Sequence, residues 1–179
     1  MLEPMSWALV GGVALAGLVV IIDTLRVGAP PMPSSGRARQ AALELLPEGP
    51  PRTAMELGAG WGGLAFALAQ ARPDWRVIAV EAALLPWLFC RIRARLSPLD
   101  NLEVRRGDLF AMDLSGVDLF TCYLLPDAMA RLQQKLLDQG RPGAHVVSVG
   151  FGLRGWTAER QIELPDLYRT PVYRYRVPA

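Results

Sequence analysis

Residues 53–71 read TAMELGAGWGGLAFALAQA, an apolar strand that runs through four glycines into a helical stretch. Gly58, Gly60, Gly62 and Gly63 let the backbone turn tightly and approach a ligand, while amides at the loop and helix start can face it. A strand handed to a helix in this way commits its surroundings to an α/β layout, because parallel strands need crossover connections.

The rest of the chain continues that alternation. Strands are expected near 53–57, 76–81, 102–106, 119–123 and 144–149, and helices near 62–71, 84–96 and 126–139. Before them, Ser35 is placed to cap a helix whose Ala38, Ala41, Ala42, Leu45 and Leu46 recur at helical spacing and which stops ahead of Pro47. The tail over 167–177, with Val172, Tyr173, Tyr175 and Val177, reads as a last strand added at an edge. This order predicts a mostly parallel sheet with helices on both faces.

Of the 179 residues, 51% are hydrophobic and 20% charged, which suits a folded domain rather than a disordered chain. Cys90 and Cys122 are the only cysteines, so a disulfide scaffold is excluded, and both are expected as reduced thiols in or near the core. A net charge of +2 with scattered basic residues leaves no footprint for neutralising phosphates, so nucleic acid is not the expected partner. Metal-ligand spacing of Cys, His and acids is lacking. His145, the sole histidine, falls in a buried-looking strand and reads as structural.

From 5 to 22 the chain is MSWALVGGVALAGLVVII, 18 residues without a charge, apolar all round and bounded by Glu3, Asp23 and Arg26. At about 1.5 Å per residue this covers roughly 27 Å, close to the thickness of a hydrocarbon core. The nearest basic residues, Arg26, Arg37 and Arg39, follow the run, so a single-pass membrane span with the remainder on the cytoplasmic side is expected. The chain thus divides into an anchor over 1–26, a Pro- and Ser-rich linker over 27–35 and a domain over 36–179.

Three strand ends carry the candidate cofactor site. Gly58-x-Gly60-x-x-Gly63 fits the dinucleotide fingerprint, so the loop with Glu56, Ala59 and Trp61 leaves a nicotinamide cofactor and S-adenosylmethionine both open. Glu81, followed by Ala82, closes the next strand where a carboxylate can accept from two vicinal ribose hydroxyls, which both cofactors have. Asp108 and Leu109 end the third strand. An acid there can accept from the adenine amino group while the next amide and an apolar side chain hold the ring. Such an adenine clamp favours S-adenosylmethionine.

With these motifs the chain resembles the class I, seven-strand S-adenosylmethionine-dependent methyltransferases over roughly residues 34–179. More narrowly it is similar to the small membrane-anchored protein-lysine methyltransferases. That resemblance rests on the apolar head, the Pro-Met-Pro-Ser-Ser linker, Pro86-Trp87-Leu88, Asp108-Leu109-Phe110, Leu124-Leu125-Pro126, Lys135 within the following helix, and the run from Gly143 to Ser148 before Phe151 and Trp156. Mitochondrial members of that family modify the ATP synthase c subunit and the adenine nucleotide translocase. Where the family commonly has Asp-Leu-Gly-Ser-Gly-Asp-Gly-Arg, this chain has Glu56-Leu57-Gly58-Ala59-Gly60-Trp61-Gly62-Gly63. Trp61 either stacks near the sulfonium or packs on the loop.

The resemblance implies a Rossmann-like, doubly wound seven-strand sheet behind one transmembrane helix, and methylation of a lysine on a membrane-associated protein. Methyl transfer is an in-line displacement on an activated sulfonium, which suits a chain poor in acid/base groups. Tyr123, Leu124 and Pro126 stand where such enzymes present the acceptor nitrogen, and the Tyr123 ring can stabilise a developing positive charge. Tyr123 also borders the cofactor. Ser34 and Ser35 serve either as lid residues or as helix caps, and Arg91, Arg93 and Arg95 as a solvated face or as contacts to anionic headgroups. Two alternatives remain open: methylation of a lipid or small amine, and a membrane-tethered nucleotide-binding module without chemistry.

Overall fold

A computed structural model of the chain describes residues 4–27, 34–50 and 52–179; within the first segment the side chains of 4–6, 8, 15–16 and 23–27 are not among those described. Most of the expected linker, and the side chains of Asp23 and Arg26, therefore lie outside the described residues.

The elements follow the chain as α1 (Pro4–Val27), α2 (Gly36–Glu44), β1 (Thr53–Leu57), α3 (Gly63–Ala71), β2 (Arg76–Glu81), α4 (Leu84–Leu96), β3 (Leu102–Arg106), a 3-10 turn (Leu109–Ala111), β4 (Leu119–Cys122), α5 (Pro126–Gln139), β5 (His145–Val149), β6 (Arg160–Glu163) and β7 (Pro171–Arg176). Seven strands form one sheet in the order β3-β2-β1-β4-β5-β7-β6. The first five run parallel, and β7 returns antiparallel between β5 and β6. The tail strand is thus an inner strand rather than an edge. The edge belongs to β6, whose RQIE is largely exposed and shows no apolar alternation.

Side chains alternate across the sheet and fill two cores. On one side Ala54, Val77, Ala79, Leu119 and Val147 pack under Ala38 and Ala42 of α2, Leu45 at its C-cap, and Leu64, Ala65 and Leu68 of α3. On the other, Met55, Ile78, Val80, Phe120 and Val146 pack against Met129, Leu132 and Leu136 of α5. Those three recur on the buried stripe of an amphipathic helix that starts with Pro126, where a missing N–H costs nothing. Ser35 caps α2 by accepting the Ala38 amide at 3.1 Å. Asn101 closes the far end of α3, its amide nitrogen donating to the carbonyls of Ala69, Arg72 and Trp75 at 3.0–3.1 Å.

The boundaries differ from expectation for local reasons. β4 leaves the ladder at Cys122, whose partner is Ser148, so Tyr123 lies beyond the strand. α3 begins at Gly63 because Gly62 takes a left-handed φ of 77° as its N-cap. α1 is one continuous helix that lies against α4. Among the described residues no helix is long and apolar enough to cross a membrane, the undescribed side chains interrupting α1.

Candidate active site

The carboxyl ends of β1, β2 and β4 meet around the glycine loop. Gly58, Gly60 and Gly62 all have left-handed φ values, of 76°, 54° and 77°. At Gly62 a Cβ would stand 2.8 Å from Cys90 Sγ and 2.9 Å from the Phe66 ring, so the loop is shaped by the absence of a side chain there. The amides of Gly58 and Ala59 donate to the Val80 carbonyl at 3.0 and 2.9 Å, and that of Gly60 donates to Glu81 Oε2 at 2.6 Å. These three amides therefore point back into the protein, and the loop is held from beneath.

Glu81 is buried, and its Oε1 accepts the Ala83 amide at 2.7 Å. A carboxylate has about four lone-pair directions, so capacity for a diol remains. Ala82 lies half-buried between these anchored positions. From α4 the buried Cys90 thiol donates to the Gly60 carbonyl at 3.2 Å, and burial pushes that thiol up to about 12, which keeps it protonated as a donor. Trp61 settles edge-on against Phe89, with ring centroids 5.5 Å apart, so it packs on α4 beside the loop.

Glu56 ends in a buried position beneath α3. Burial raises its carboxyl from 4.5 to about 8; the Ala65 amide that it accepts pulls the other way, and the nearby Glu81 charge adds to the rise. Its Oε2 has no hydrogen-bond partner. Directly across the ladder, paired with Glu56 on the same face, Thr121 has an equally buried and unpartnered Oγ1. Thr121 is a candidate site residue that sequence reasoning missed; its one signal is a polar residue in the apolar strand LFTC. Arg39 is another, since it reaches back to the Ser34 carbonyl and both side chains crowd the space above Gly63.

Further along, the Leu124 side chain is 3.0 Å from where a Gly58 Cβ would be, and the Tyr123 ring is 3.0 Å from the same position at Gly150. Leu125 and Pro126 begin α5 and are exposed. Asp108 and Leu109 stand on the turn after β3, two strands from β1, and no hydrogen bond joins them to the loop among the described residues. Asp108 is exposed and its Oδ1 accepts the Phe110 amide at 2.9 Å. Phe110 is covered by the Arg131 guanidinium at 3.7 Å. Two surface clefts, of about 540 and 400 Å3 beside Asp100 and Asn101, include none of these residues.

His145 lies at the opposite end of its strand from the site, buried, with Nε2 3.7 Å from Glu159. Desolvation, then the Arg176 charge, lower its pKa, which suits a neutral structural ring. Cys90 and Cys122 are free buried thiols. No group of His, Cys and acids able to hold a metal occurs among the described residues.

A model of the ANTKMT methyltransferase domain matches residues 56–160. The chain belongs to that family. It is a class I S-adenosylmethionine-dependent methyltransferase, and its cofactor is S-adenosylmethionine. A protein-lysine N-methyltransferase of Saccharolobus islandicus (strain REY15A) is 30% identical over 82 residues, 42% of this chain and 51% of that protein, so the chain spans about half the length of this curated relative. An RNA methyltransferase from Salinibacter ruber, solved with S-adenosyl-L-homocysteine, superposes with a TM-score of 0.72 at 29% identity, covering 82% of this chain and 94% of that one. A putative methyltransferase, yhhF, from Escherichia coli gives 0.66 at 15% identity over 84% and 90%, a likeness of fold alone.

The residues present fit the cofactor. An ammonium group would satisfy the unpartnered Glu56 Oε2, a diol would use the remaining capacity of Glu81, and an exocyclic amine would meet Asp108. Bound there, S-adenosylmethionine supplies a methyl group already activated by its sulfonium. What such a transfer asks of the chain is to hold the ligand at both ends and to exclude water from the transferring methyl.

Proposed function

We propose that this methyltransferase transfers the methyl group in line to the ε-nitrogen of a lysine on a membrane-associated protein. The observation that carries the reading is the pair of side chains that follows β4 beside the glycine loop. Tyr123, half-buried against Gly150, and Leu124, against Gly58, offer an aromatic face and an apolar wall to a narrow aliphatic amine. The Saccharolobus islandicus relative, a protein-lysine N-methyltransferase, supports the same acceptor. A lysine must arrive neutral to attack, and the Tyr123 ring then stabilises the charge that develops on nitrogen.

The membrane part of the proposal rests on the apolar run over 5–22 and on the large side chains that α1 leaves exposed, Leu9, Val13, Leu18 and Ile21 among them. In this reading α1 is a single-pass anchor, the domain faces the cytoplasm, and confinement to the membrane raises the effective concentration of substrates.

The test is transfer of tritiated methyl from S-adenosylmethionine to membrane fractions by the full chain. Label recovered as methyl-lysine after acid hydrolysis supports the proposal. Label that is lost to ribonuclease, as the name of the Salinibacter ruber neighbour would suggest, or extracted with lipid, contradicts it.

A further inference from the structure

Helix α4 is apolar on two opposite faces. Pro86 and Cys90 face the protein and are buried. Yet Leu88, Phe89, Ile92 and Leu96 are 41, 48, 52 and 82% exposed, and their spacing of one, four and eight residues gathers them within roughly 100° of helical arc on the outward side. Solvent-facing helices normally carry charge there. Here the charges flank the stripe instead, Arg91 and Arg95 on one border, while on the other Arg93 lies over the buried Phe66 ring at 3.9 Å, with no acid anywhere in LLPWLFCRIRARL.

We propose that this outer face of α4 lies on an anionic lipid surface, with the four apolar side chains dipping into the headgroup boundary and Arg91 and Arg95 meeting lipid phosphates. An apolar stripe bordered by basic residues is the pattern of helices that lie in a bilayer interface. Charge complementarity favours lipid over a second copy, because two such faces would set arginine against arginine. Continuity favours it too, since α1 packs against α4. The inference rests on the membrane reading above and adds a second, reversible contact that fixes the orientation of the domain. Because Trp61 packs on Phe89, the docked face borders the glycine loop.

The test uses the full chain on vesicles of phosphatidylcholine with or without phosphatidylglycerol, and an environment-sensitive fluorophore on Ile92→Cys or, as control, on Leu137→Cys of α5. Leu137 is also 50% exposed, while Cys90 and Cys122 have no exposed surface to label. The expected result is strong quenching of the Ile92→Cys probe by a nitroxide lipid on anionic vesicles, weak quenching at the control site, and a docked-to-undocked ratio about thirtyfold lower in an Arg91→Gln/Arg95→Gln variant. Equal quenching at both sites, indifference to anionic lipid, or a signal from Ile92→Cys that follows protein concentration without lipid overturns it. Resistance to alkaline carbonate reports the anchor separately. Chains that resist carbonate but show no quenching at the α4 site sink this proposal alone, and chains stripped by carbonate yet quenched at that site sink only the anchor.

Discussion

Replacing Glu56 by Gln tests how the site stores its electrostatic cost. The carboxyl is raised from 4.5 to about 8 chiefly by burial, so the cofactor-free fold holds it protonated at neutral pH. With a folded pKa above the unfolded one, its contribution to stability is fully present below pH 4.5 and is lost as pH rises through about 8. One pKa unit is about 1.4 kcal/mol, so by pH 7 the group costs the fold about 3 kcal/mol. A neutral amide escapes that cost. Glu56→Gln should therefore melt roughly 5–10 °C higher than the parent at pH 7, with the difference vanishing towards pH 4.5. The same change should weaken S-adenosylmethionine binding more than tenfold, because an amide cannot form a charge-assisted bond to an ammonium group. In the parent, binding should release a proton and tighten as pH rises from 6 to 8. Thermal melts across pH 4.5–8.5, with calorimetric titration at each pH, check all of this. Melting curves with the same pH dependence in both proteins would refute the reasoning, since Glu56 would then titrate no differently in the fold than outside it.

Other substitutions separate binding from folding. Asp108→Ala removes an exposed acceptor and should weaken S-adenosylmethionine about tenfold or more while leaving the melting temperature nearly unchanged, as calorimetry and circular dichroism would report. Gly62→Ala combines a left-handed φ of 77° with a Cβ 2.8 Å from Cys90 Sγ, and should cost about 2–4 kcal/mol in urea denaturation. Asn101→Ala strips the donor shared by the carbonyls of Ala69, Arg72 and Trp75, and should cost about 2 kcal/mol without altering cofactor affinity.

What the chain discloses as a sequence follows the range of the interactions involved. β1, α3, β2, α4 and α5 were legible because each has its own apolar period and its own punctuation, such as Pro126 at the start of α5. β6 was not, since RQIE is exposed at the edge and is held by pairing with β7 rather than by burial. Glu81 could be placed at a strand end, but its grip on the Gly60 amide depends on how closely β2 lies beside β1. Glu56 and Thr121 were harder. Their adjacency is created only when β1 pairs with β4, far along the chain, and no local pattern encodes that register. The outward stripe of α4 was hidden for the opposite reason: apolar residues recur all round this helix, and only the packing of the Cys90 face against the protein shows which of them stay exposed.

On this reading the carboxylates on three successive strand ends, Glu56, Glu81 and Asp108, hold an adenosylated, sulfonium-bearing cofactor. Calorimetric titration of the purified full chain with S-adenosylmethionine, S-adenosylhomocysteine and NAD tests it most directly. The account predicts saturable binding of the first two, lost together in Glu81→Ala, and no heat with NAD. Binding of NAD, or affinity for S-adenosylmethionine that survives Glu81→Ala and Asp108→Ala alike, would contradict it.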